Sequence, residues 1–575
     1  MVVFMAREVM APSVVMFGVV VVLLIVGIVN PREAFSGFSN PAPFTVAALY
    51  VVARAVEKTG AIQPSIQKIL GRGSGERTEL MRLLLPTAVA SAFLNNTPIM
   101  ATLIPQVTDW AERWGKPISL FLMPLSFATI LAGTITVIGT STNIVVSGLL
   151  EADGAPPIGM FELSPIGLPL TVVGLLTLIL LAPRVLPDRR PARQRFEDEF
   201  REFVVPMRIE GKGPLVGKTV EEAGLRHLQG VFLAELERDG QIIAPVSPDE
   251  PLAEGDLLTF VGLADLVVDL QGMRGLAFAG HETVSGFAGN NHTFFEAVLS
   301  ASSPLTGRTL IDADFRNRYQ AAVFAIHRAG TRVKAKLGSV RLKTGDTLLV
   351  LSDQGFRDRW RDRSDFLLVS RLGGALPVSS GKAWIVGLIT LGIVVVAGVG
   401  WLPILHCALI GTVTLIVSGV LSPQEARAAV NLDVVVVIAA SFGVGAAIQV
   451  SGLAEVIGSG IVGVFGGWGA TGLLLGLALA TILFTELITN NATAVLLFPV
   501  ATATAGSLGL DPRPFAIVVA IAASASFLTP IGYQTNMMIY GPGGYRFGDY
   551  ARLGLPLTLL VIVVLVLLVP VVWPM

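Results

Sequence analysis

Charge is what this chain has least of. Only 14% of its 575 residues are charged, and 41 basic against 42 acidic side chains leave a formal net charge of -1. No basic surface for nucleic acid follows from such a balance, so no nucleic-acid partner is expected. Cysteine is nearly missing too: Cys407 stands alone in an apolar run. One thiol excludes an intrachain disulfide framework and a multi-cysteine metal site. No nucleophile–base pair or metal cluster is spaced for chemistry, so an enzyme is not expected. No small-residue cleavage site follows the first apolar stretch, and Ser13 to Val29 reads as a retained membrane helix.

What the chain has instead is hydrocarbon. Hydrophobic residues make up 53%, in runs long enough to cross a bilayer, which marks a polytopic membrane protein. The charge gathers between residues 188 and 371, which separates three blocks: membrane residues 1–187, a soluble insert, and membrane residues 383–575.

Along the first membrane block, Ser13 to Val29 and Pro43 to Glu57 read as spans, and residues 60–82 as a polar surface helix. Residues 83–107 hold Asn95-Asn96-Thr97-Pro98 at their centre, which argues for a re-entrant hairpin rather than one rod. Residues 117–150 are too long for one straight span and break at Gly133, Gly139 and Thr140-Ser141-Thr142-Asn143. Pro165 to Leu186 is an ordinary span. The second block opens with an extra span, Trp384 to Val399, then Pro403 to Leu421, Leu432 to Val450 and a Gly-rich connection. A hairpin follows at 472–505, a broken helix at 515–540 interrupted by Thr529 to Asn536, and a last span, Leu553 to Trp573.

The two blocks are copies. Asn30-Pro-Arg-Glu-Ala matches Ser422-Pro-Gln-Glu-Ala, Thr59-Gly60 matches Ser451-Gly452, Asn95-Asn96 matches Asn490-Asn491, and Thr142-Asn143 matches Thr535-Asn536. Matches in the same order mean an internal repeat. Basic residues orient them: Arg54, Lys58, Lys68, Arg72, Arg77 and Arg82 flank the first hairpin, while 451–512 has no Lys or Arg. By the positive-inside rule the first hairpin opens to the cytoplasm and the second to the outside, so the copies are inverted, with Arg513 as the main exception. Residues 188–382 are then cytoplasmic. The insert is itself duplicated at an offset of 90: Leu215-Val-Gly217-Lys-Thr219 matches Leu305-Thr-Gly307-Arg-Thr309, and Gly255-Asp256 matches Gly345-Asp346. Alternating apolar residues and Gly turns give two small α+β domains, 200–275 and 285–365.

Polar knots in hydrocarbon are costly unless the chain turns back there and lines a cavity. Inverted repeats with broken helices point to a transporter. A half-helix beginning inside the membrane presents unpaired N–H groups worth about half a positive charge. Amide and hydroxyl side chains beside such ends can cage an oxyanion without lysine or arginine, and nearby oxygen ligands suit a small hard cation. Glu486, four residues before Asn490, is the ionisable group of the second knot and is aligned with Ser91 of the first; it either binds a cation, titrates, or only holds the hairpin. Asp433 reads as a helix N-terminal charge and His406 as packing.

These tips resemble the paired Ser-Asn-Thr motifs of divalent-anion/sodium symporters in the ion-transporter superfamily. Ile138-Gly-Thr-Ser-Thr-Asn143 is similar to that family's first unwound segment. Pro530-Ile-Gly-Tyr-Gln-Thr-Asn536 with Tyr540-Gly-Pro-Gly-Gly-Tyr-Arg-Phe547 resembles its sodium/sulfate permease branch. The insert looks like two C-terminal ligand-sensing domains of potassium-uptake regulators (TrkA-C type). The resemblance implies an all-α polytopic fold of two inverted repeats working as an elevator, in a homodimer in the lipid of the cell's inner membrane, with a small unknown ligand for the insert. It implies one Na+ site at Ser91, Asn95, Asn96 and the Gly139 carbonyl. A second would use Glu486, Asn490, Asn491 and the Gly532 carbonyl. A small anionic substrate such as sulfate or a dicarboxylate would lie among Asn96, Thr97, Asn491, Ala492 and Thr493, with Thr142, Asn143, Thr535 and Asn536 beside it. The motif's leading Ser is Asn in both tips, and Glu486 replaces a hydroxyl, so the coupling ion is Na+ or H+. Cation/proton antiport through Glu486, and a membrane-anchored sensor that does not transport, are the competing readings.

Overall fold

The computed structural model describes residues 12–60, 75–189 and 381–575 and, in the insert, 204–371 apart from 212, 226–230, 244–245, 263–272, 274, 279–291, 301–302, 329–330, 334, 336, 361–362 and 364. Two compact units form: residues 1–189 with 375–575, and residues 190–374.

The first half of the membrane unit runs α1 (Pro12–Ile25), α2 (Pro31–Ala34), α3 (Pro41–Thr59), α4 (Glu76–Ser91), α5 (Asn96–Arg113), α6 (Ser119–Ala132), α7 (Ser141–Ala152) and α8 (Ser164–Val185). Local chemistry sets the starts. Asn30 closes a capping box with Glu33, and Pro31 sits at the first helical position, where its missing N–H costs nothing.

The insert has two five-stranded antiparallel sheets. The first holds β1 (Val204–Ile209), β2 (Val231–Arg238), β3 (Gln241–Ile243), β4 (Leu257–Gly262) and β5 (Leu276–Phe278), in the order β3-β2-β4-β1-β5. The second holds β6 (His292–Leu299), α9 (Phe315–Tyr319), β7 (Ala321–Arg328), β8 (Thr331–Arg332), β9 (Thr347–Asp353), α10 (Phe356–Trp360) and β10 (Phe366–Arg371). Its order, β10-β6-β9-β7-β8, is the first order read from the other end. The copies share one ion pair. Arg238 grips Asp256 with two bonds of 2.8 and 2.7 Å, and Arg328 grips Asp346 at the same two distances. Both aspartates are buried at the turn into β4 or β9 and also take a backbone N–H, from Ala253 or Lys343. A forked guanidinium matches a carboxylate in this way, and burial of the carboxylate makes the pairing obligatory.

The second half of the membrane unit runs α11 (Ala383–Val399), α12 (Ile404–Val417), α13 (Pro423–Ala429), α14 (Leu432–Val450), α15 (Leu453–Phe465), α16 (Gly469–Thr485), α17 (Asn490–Gly506), α18 (Pro512–Ser524), α19 (Gln534–Tyr540) and α20 (Phe547–Val572). Ser422 closes the same capping box with Glu425 ahead of α13 as Asn30 does ahead of α2. Helix α1 ends 392 residues before α12 (25 to 417), so among the described residues α11 is the unmatched span. Among the described residues, Ser164–Val185, Leu432–Val450, Leu453–Thr485 and Phe547–Val572 are long and apolar enough to cross a bilayer.

Some boundaries differ from the sequence expectation. The incoming arm of the first hairpin starts at Glu76 rather than at residue 83, so residues 76–82 belong to it; the rest of the expected surface helix, 61–74, lies outside the described residues. The Gly-rich connection is helix α15. Glycine is a poor helix former in water, but backbone groups in hydrocarbon must bond within their own segment, and helix is the way to do so.

Candidate functional site

Both hairpins turn at a short non-helical tip: α4 gives way to α5 between Ser91 and Asn96, and α16 to α17 between Thr485 and Asn490. The hydroxyl of Ser91 donates to Asn96 Oδ1 (2.6 Å) and to the Thr129 carbonyl (2.9 Å). That of Thr485 donates to Asn490 Oδ1 (3.3 Å) and to the Ala523 carbonyl (2.6 Å). Each tip is thereby stitched to the last turn of the neighbouring broken helix, α6 or α18.

The unwound stretches are held alike. Asn143 Nδ2 donates to the carbonyls of Gly133 (3.2 Å) and Thr136 (3.0 Å); Asn536 Nδ2 donates to those of Ser526 (2.9 Å) and Thr529 (3.4 Å). The hydroxyls of Thr136 and Thr529 reach back to the carbonyls of Ala92 and Glu486. Unwinding frees carbonyls that nothing in lipid could satisfy, and these side chains do so. Close packing completes it. A Cβ on Gly139 would stand 2.5 Å from the Gly133 carbonyl, and one on Gly532 would stand 2.0 Å from Ser526 Oγ.

This network fixes the register between copies and corrects the sequence alignment by one residue. Asn96 corresponds to Asn490, Ser91 to Thr485, and Ala92 to Glu486. The tips are Asn95-Asn96-Thr97 and Thr489-Asn490-Asn491, so the second tip leads with a threonine hydroxyl, not an asparagine. Glu486 therefore has no hydroxyl counterpart at Ser91.

The copies then cross. Thr97 Oγ1 of the first tip donates to Gln534 Oε1 (3.2 Å), and Asn96 Nδ2 to the Tyr533 hydroxyl (2.7 Å), both at the start of α19. Reciprocally, Ser141 and Thr142 at the start of α7 donate to Asn491 Oδ1 of the second tip (3.1 and 3.3 Å). Thr97, Ser141, Asn490 and Asn491 are half-buried and Gln534 is exposed, so the crossing lies at an accessible edge of the packed interior. The starts of α5, α7 and α17 meet here. Thr140 and Thr489, the residues ahead of α7 and α17, make no side-chain cap, which leaves first-turn N–H groups to a ligand. The hydroxyls of Thr489 and Thr493 have no hydrogen-bond partner. None of the described contacts at the crossing comes from a lysine or arginine.

Not every expected residue faces that spot. Thr535 and Asn536 are fully buried and receive the hydroxyl of Ser126 on α6 (2.9 and 2.8 Å), which makes them pins of the unwound segment. Asn143 pins the first segment likewise, with its Oδ1 left buried and unpartnered. Ala492 and Thr493 lie buried in the first turn of α17. Asn95 stands apart from Ser91 and Asn96: it caps the Thr97 N–H (3.3 Å) and lines a small cavity with Leu49, Val52, Ile138 and Ile393. Glu486 Oε1 accepts the N–H groups of Phe527 and Leu528, both at 2.8 Å, where α18 unwinds, and its Oε2 is buried without a partner. Sequence reasoning missed Ser126, Ser141, Thr485, Tyr533 and Gln534. For Tyr533 and Gln534 a signal existed, since both sit inside the stretch 529–536 already marked as broken.

The geometry can be set beside known proteins. A profile described as the citrate transporter family matches residues 1–522 and 473–574. The chain belongs to the citrate transporter family. It is a membrane transporter of the ion-transporter superfamily, and not an enzyme. An uncharacterized transporter of Synechocystis, sll0640, is 36% identical over 568 residues, covering 96% of this chain and 92% of its own length. A candidate sulfur deprivation response regulator of Chlamydomonas reinhardtii is 35% identical over 571 residues, covering 96% and 97%. Sodium/sulfate cotransporter 1 of the same alga is 25% identical over 741 residues, covering 92% and 83%.

Proposed function

We propose that this transporter carries a small divalent oxyanion, sulfate first, in symport with a cation. The crossing of each tip with the opposite unwound segment supports this most. It gathers neutral donors and helix N-termini at one accessible point, where a doubly charged anion gains from several partial positive charges and meets no fixed cation that would hold it too tightly to release. The similarity to sodium/sulfate cotransporter 1 favours sulfate and Na+.

In this reading Ser91, Asn96 and the Gly139 carbonyl, with Asn95 at the edge, hold one Na+. Thr485, Glu486, Asn490, Asn491 and the Gly532 carbonyl hold the second cation, Na+ or, through Glu486, H+. The anion rests on Thr97, Ser141, Thr142 and Asn491. Helices α4–α8 and α16–α20 slide as an elevator against the rest, in a homodimer in the cell's inner membrane. The insert lies in the cytoplasm, where TrkA-C-like domains regulate transport by binding a small ligand. Labelled-sulfate uptake into proteoliposomes tests this: accumulation driven by an inward Na+ or H+ gradient is expected. No gradient-dependent flux of any oxyanion would refute it.

A second reading, a sensor without flux, is favoured by the candidate sulfur deprivation response regulator that matches almost end to end. Full-length protein that binds sulfate with no flux under any gradient would select it.

A further inference from the structure

The register set by the tips, Ser91 on Thr485 and Asn96 on Asn490, holds along both hairpins. Just after α5 and α17, Gly115 and Gly509 both take a positive φ (61° and 67°). The next residues, Lys116 and Leu510, donate their backbone N–H to Ala111 and Ala505 (2.8 and 3.0 Å). On the incoming arms, Glu79 of α4 falls on Leu473 of α16. The second hairpin therefore has two leucines at its base where the first has an ion pair: Lys116 Nζ lies 3.1 Å from Glu79 Oε1. The Glu79 carboxylate is fully buried, and no hydrogen bond reaches either of its oxygens. The lysine side chain is 26% exposed. A second difference lies midway along the same arm. Helix α4 contains Pro86, where α16 has Ala480 and no proline. Proline cannot donate to the Arg82 carbonyl one turn back, so α4 lacks one rung of its ladder there.

We infer that the first hairpin is the one that opens, with the Glu79–Lys116 pair as its clasp and Pro86 as its hinge. Only the use of that opening, passage of the ions, rests on the transport reading above. Water acts on the two bases in opposite directions. Parting two leucines exposes hydrocarbon, which water opposes in proportion to the area uncovered. Parting an ion pair returns both charges to water, and a buried pair with no supporting hydrogen bonds recovers little of its desolvation cost while it is closed. The clasp therefore releases where the leucines hold. A bend at a proline is the usual way for a helix to move one half against the other. Residues 76–85 then swing about Pro86, whereas α16 is a continuous rod from Gly469 to Thr485. Helix α4 ends at Ser91, whose hydroxyl holds Asn96 and the Thr129 carbonyl, so a displaced arm loosens the first tip. The second tip keeps its arm in place.

Matched thiols on the two arms test this. Leu83 on α4 and Leu477 on α16 are aligned and both buried (1% and 0% exposed). With Cys407→Ser as background, full-length protein carrying Leu83→Cys or Leu477→Cys is placed in lipid nanodiscs and labelled with a water-soluble maleimide. The Leu83→Cys protein should label faster. Adding Glu79→Leu with Lys116→Leu, which copies the second hairpin, should slow its labelling by about tenfold or more, the factor for one leucine side chain kept from water. Equal rates for the two thiols, or a Leu83→Cys rate that the double leucine change leaves unaltered, overturn the inference. If the double leucine protein does not fold, Pro86→Ala decides it: slower labelling is expected, and an unchanged rate overturns the hinge. The double leucine protein should also take up labelled sulfate more slowly, and a wild-type rate of uptake with slowed labelling would separate the opening from transport. Labelling does not depend on flux, so a lack of any sulfate flux, which refutes the transport reading, is told apart from a first hairpin that stays shut.

Discussion

The two repeats are built on one hydrogen-bond plan, and three of the aligned positions at which they differ set them apart in size or charge at the tips and unwound stretches. Where the first has Ala92, Gly133 and Thr140, the second has Glu486, Ser526 and Tyr533. The shared plan is what two interrupted helices need in order to exist in a membrane: a hydroxyl from the tip, an amide across the unwound stretch, a threonine back to the tip. The differences add a carboxylate, a hydroxyl and a phenol to one side only. Pseudo-symmetry therefore carries the architecture, and under the proposed function its violation is where specificity for ion and anion would lie.

The comparison breaks most severely at Glu486. Glu486→Ala orphans one buried and one half-buried N–H group, the buried one worth about 1–3 kcal/mol. A clear fall in melting temperature with loss of uptake is expected, while Glu486→Gln, which still offers an acceptor, should keep most of the stability and lose cation coupling. An Ala variant as stable as Gln would remove Glu486 from the unwound segment.

Next come the glycines. Gly139→Ala pushes against backbone and should cost about 1–3 kcal/mol. Gly532→Ala meets the Ser526 hydroxyl first, so adding Ser526→Gly, the residue of the first repeat, should recover part of its loss. Equal behaviour with and without that second change would show that the two stretches do not pack as copies.

The ion pairs of the insert should behave as twins. Arg238→Ala and Arg328→Ala each abandon a buried carboxylate, and both should lower the insert's thermal midpoint by similar amounts; one silent substitution would end the equivalence.

The smallest effect concerns a link between repeats. Arg513 makes two bonds to Glu162 (2.6 and 2.7 Å) and one to the Pro156 carbonyl (2.8 Å). Burial alone would raise the Glu162 carboxyl, but the guanidinium and the Gly159 N–H hold it below the usual carboxylate range. A carboxylate depressed in the folded state stabilises above its unfolded pKa of about 4.3 and loses that contribution as pH falls through the folded value. Glu162→Gln should therefore flatten the acid side of the pH–stability profile by a small amount; an unaltered slope would mean that the pair contributes nothing.

Much of this was readable from residues. The tips show as polar knots in apolar runs, and the duplication shows in four matching segments. The alignment slipped by one because Asn95-Asn96 and Asn490-Asn491 are identical pairs. The correct register lay in the hydroxyl five residues before each bonding asparagine, Ser91 and Thr485. Tyr533 escaped because an aromatic residue in a membrane segment reads as packing until its hydroxyl is seen against Asn96. Arg513, out of place by the charge rule, makes sense once Glu162 neutralises it. The Arg–Asp pairs of the insert were not joined from sequence because their partners stand 18 residues apart and meet only across neighbouring strands.

The crossing of tip and opposite unwound segment can be tested by disulfide trapping. With Cys407→Ser removing the single native thiol, Thr97→Cys with Gln534→Cys and Ser141→Cys with Asn491→Cys should each form a disulfide under mild oxidant, and saturating sulfate should slow both. Thiols that stay freely labelled in both pairs would contradict the crossing and, with it, the oxyanion site.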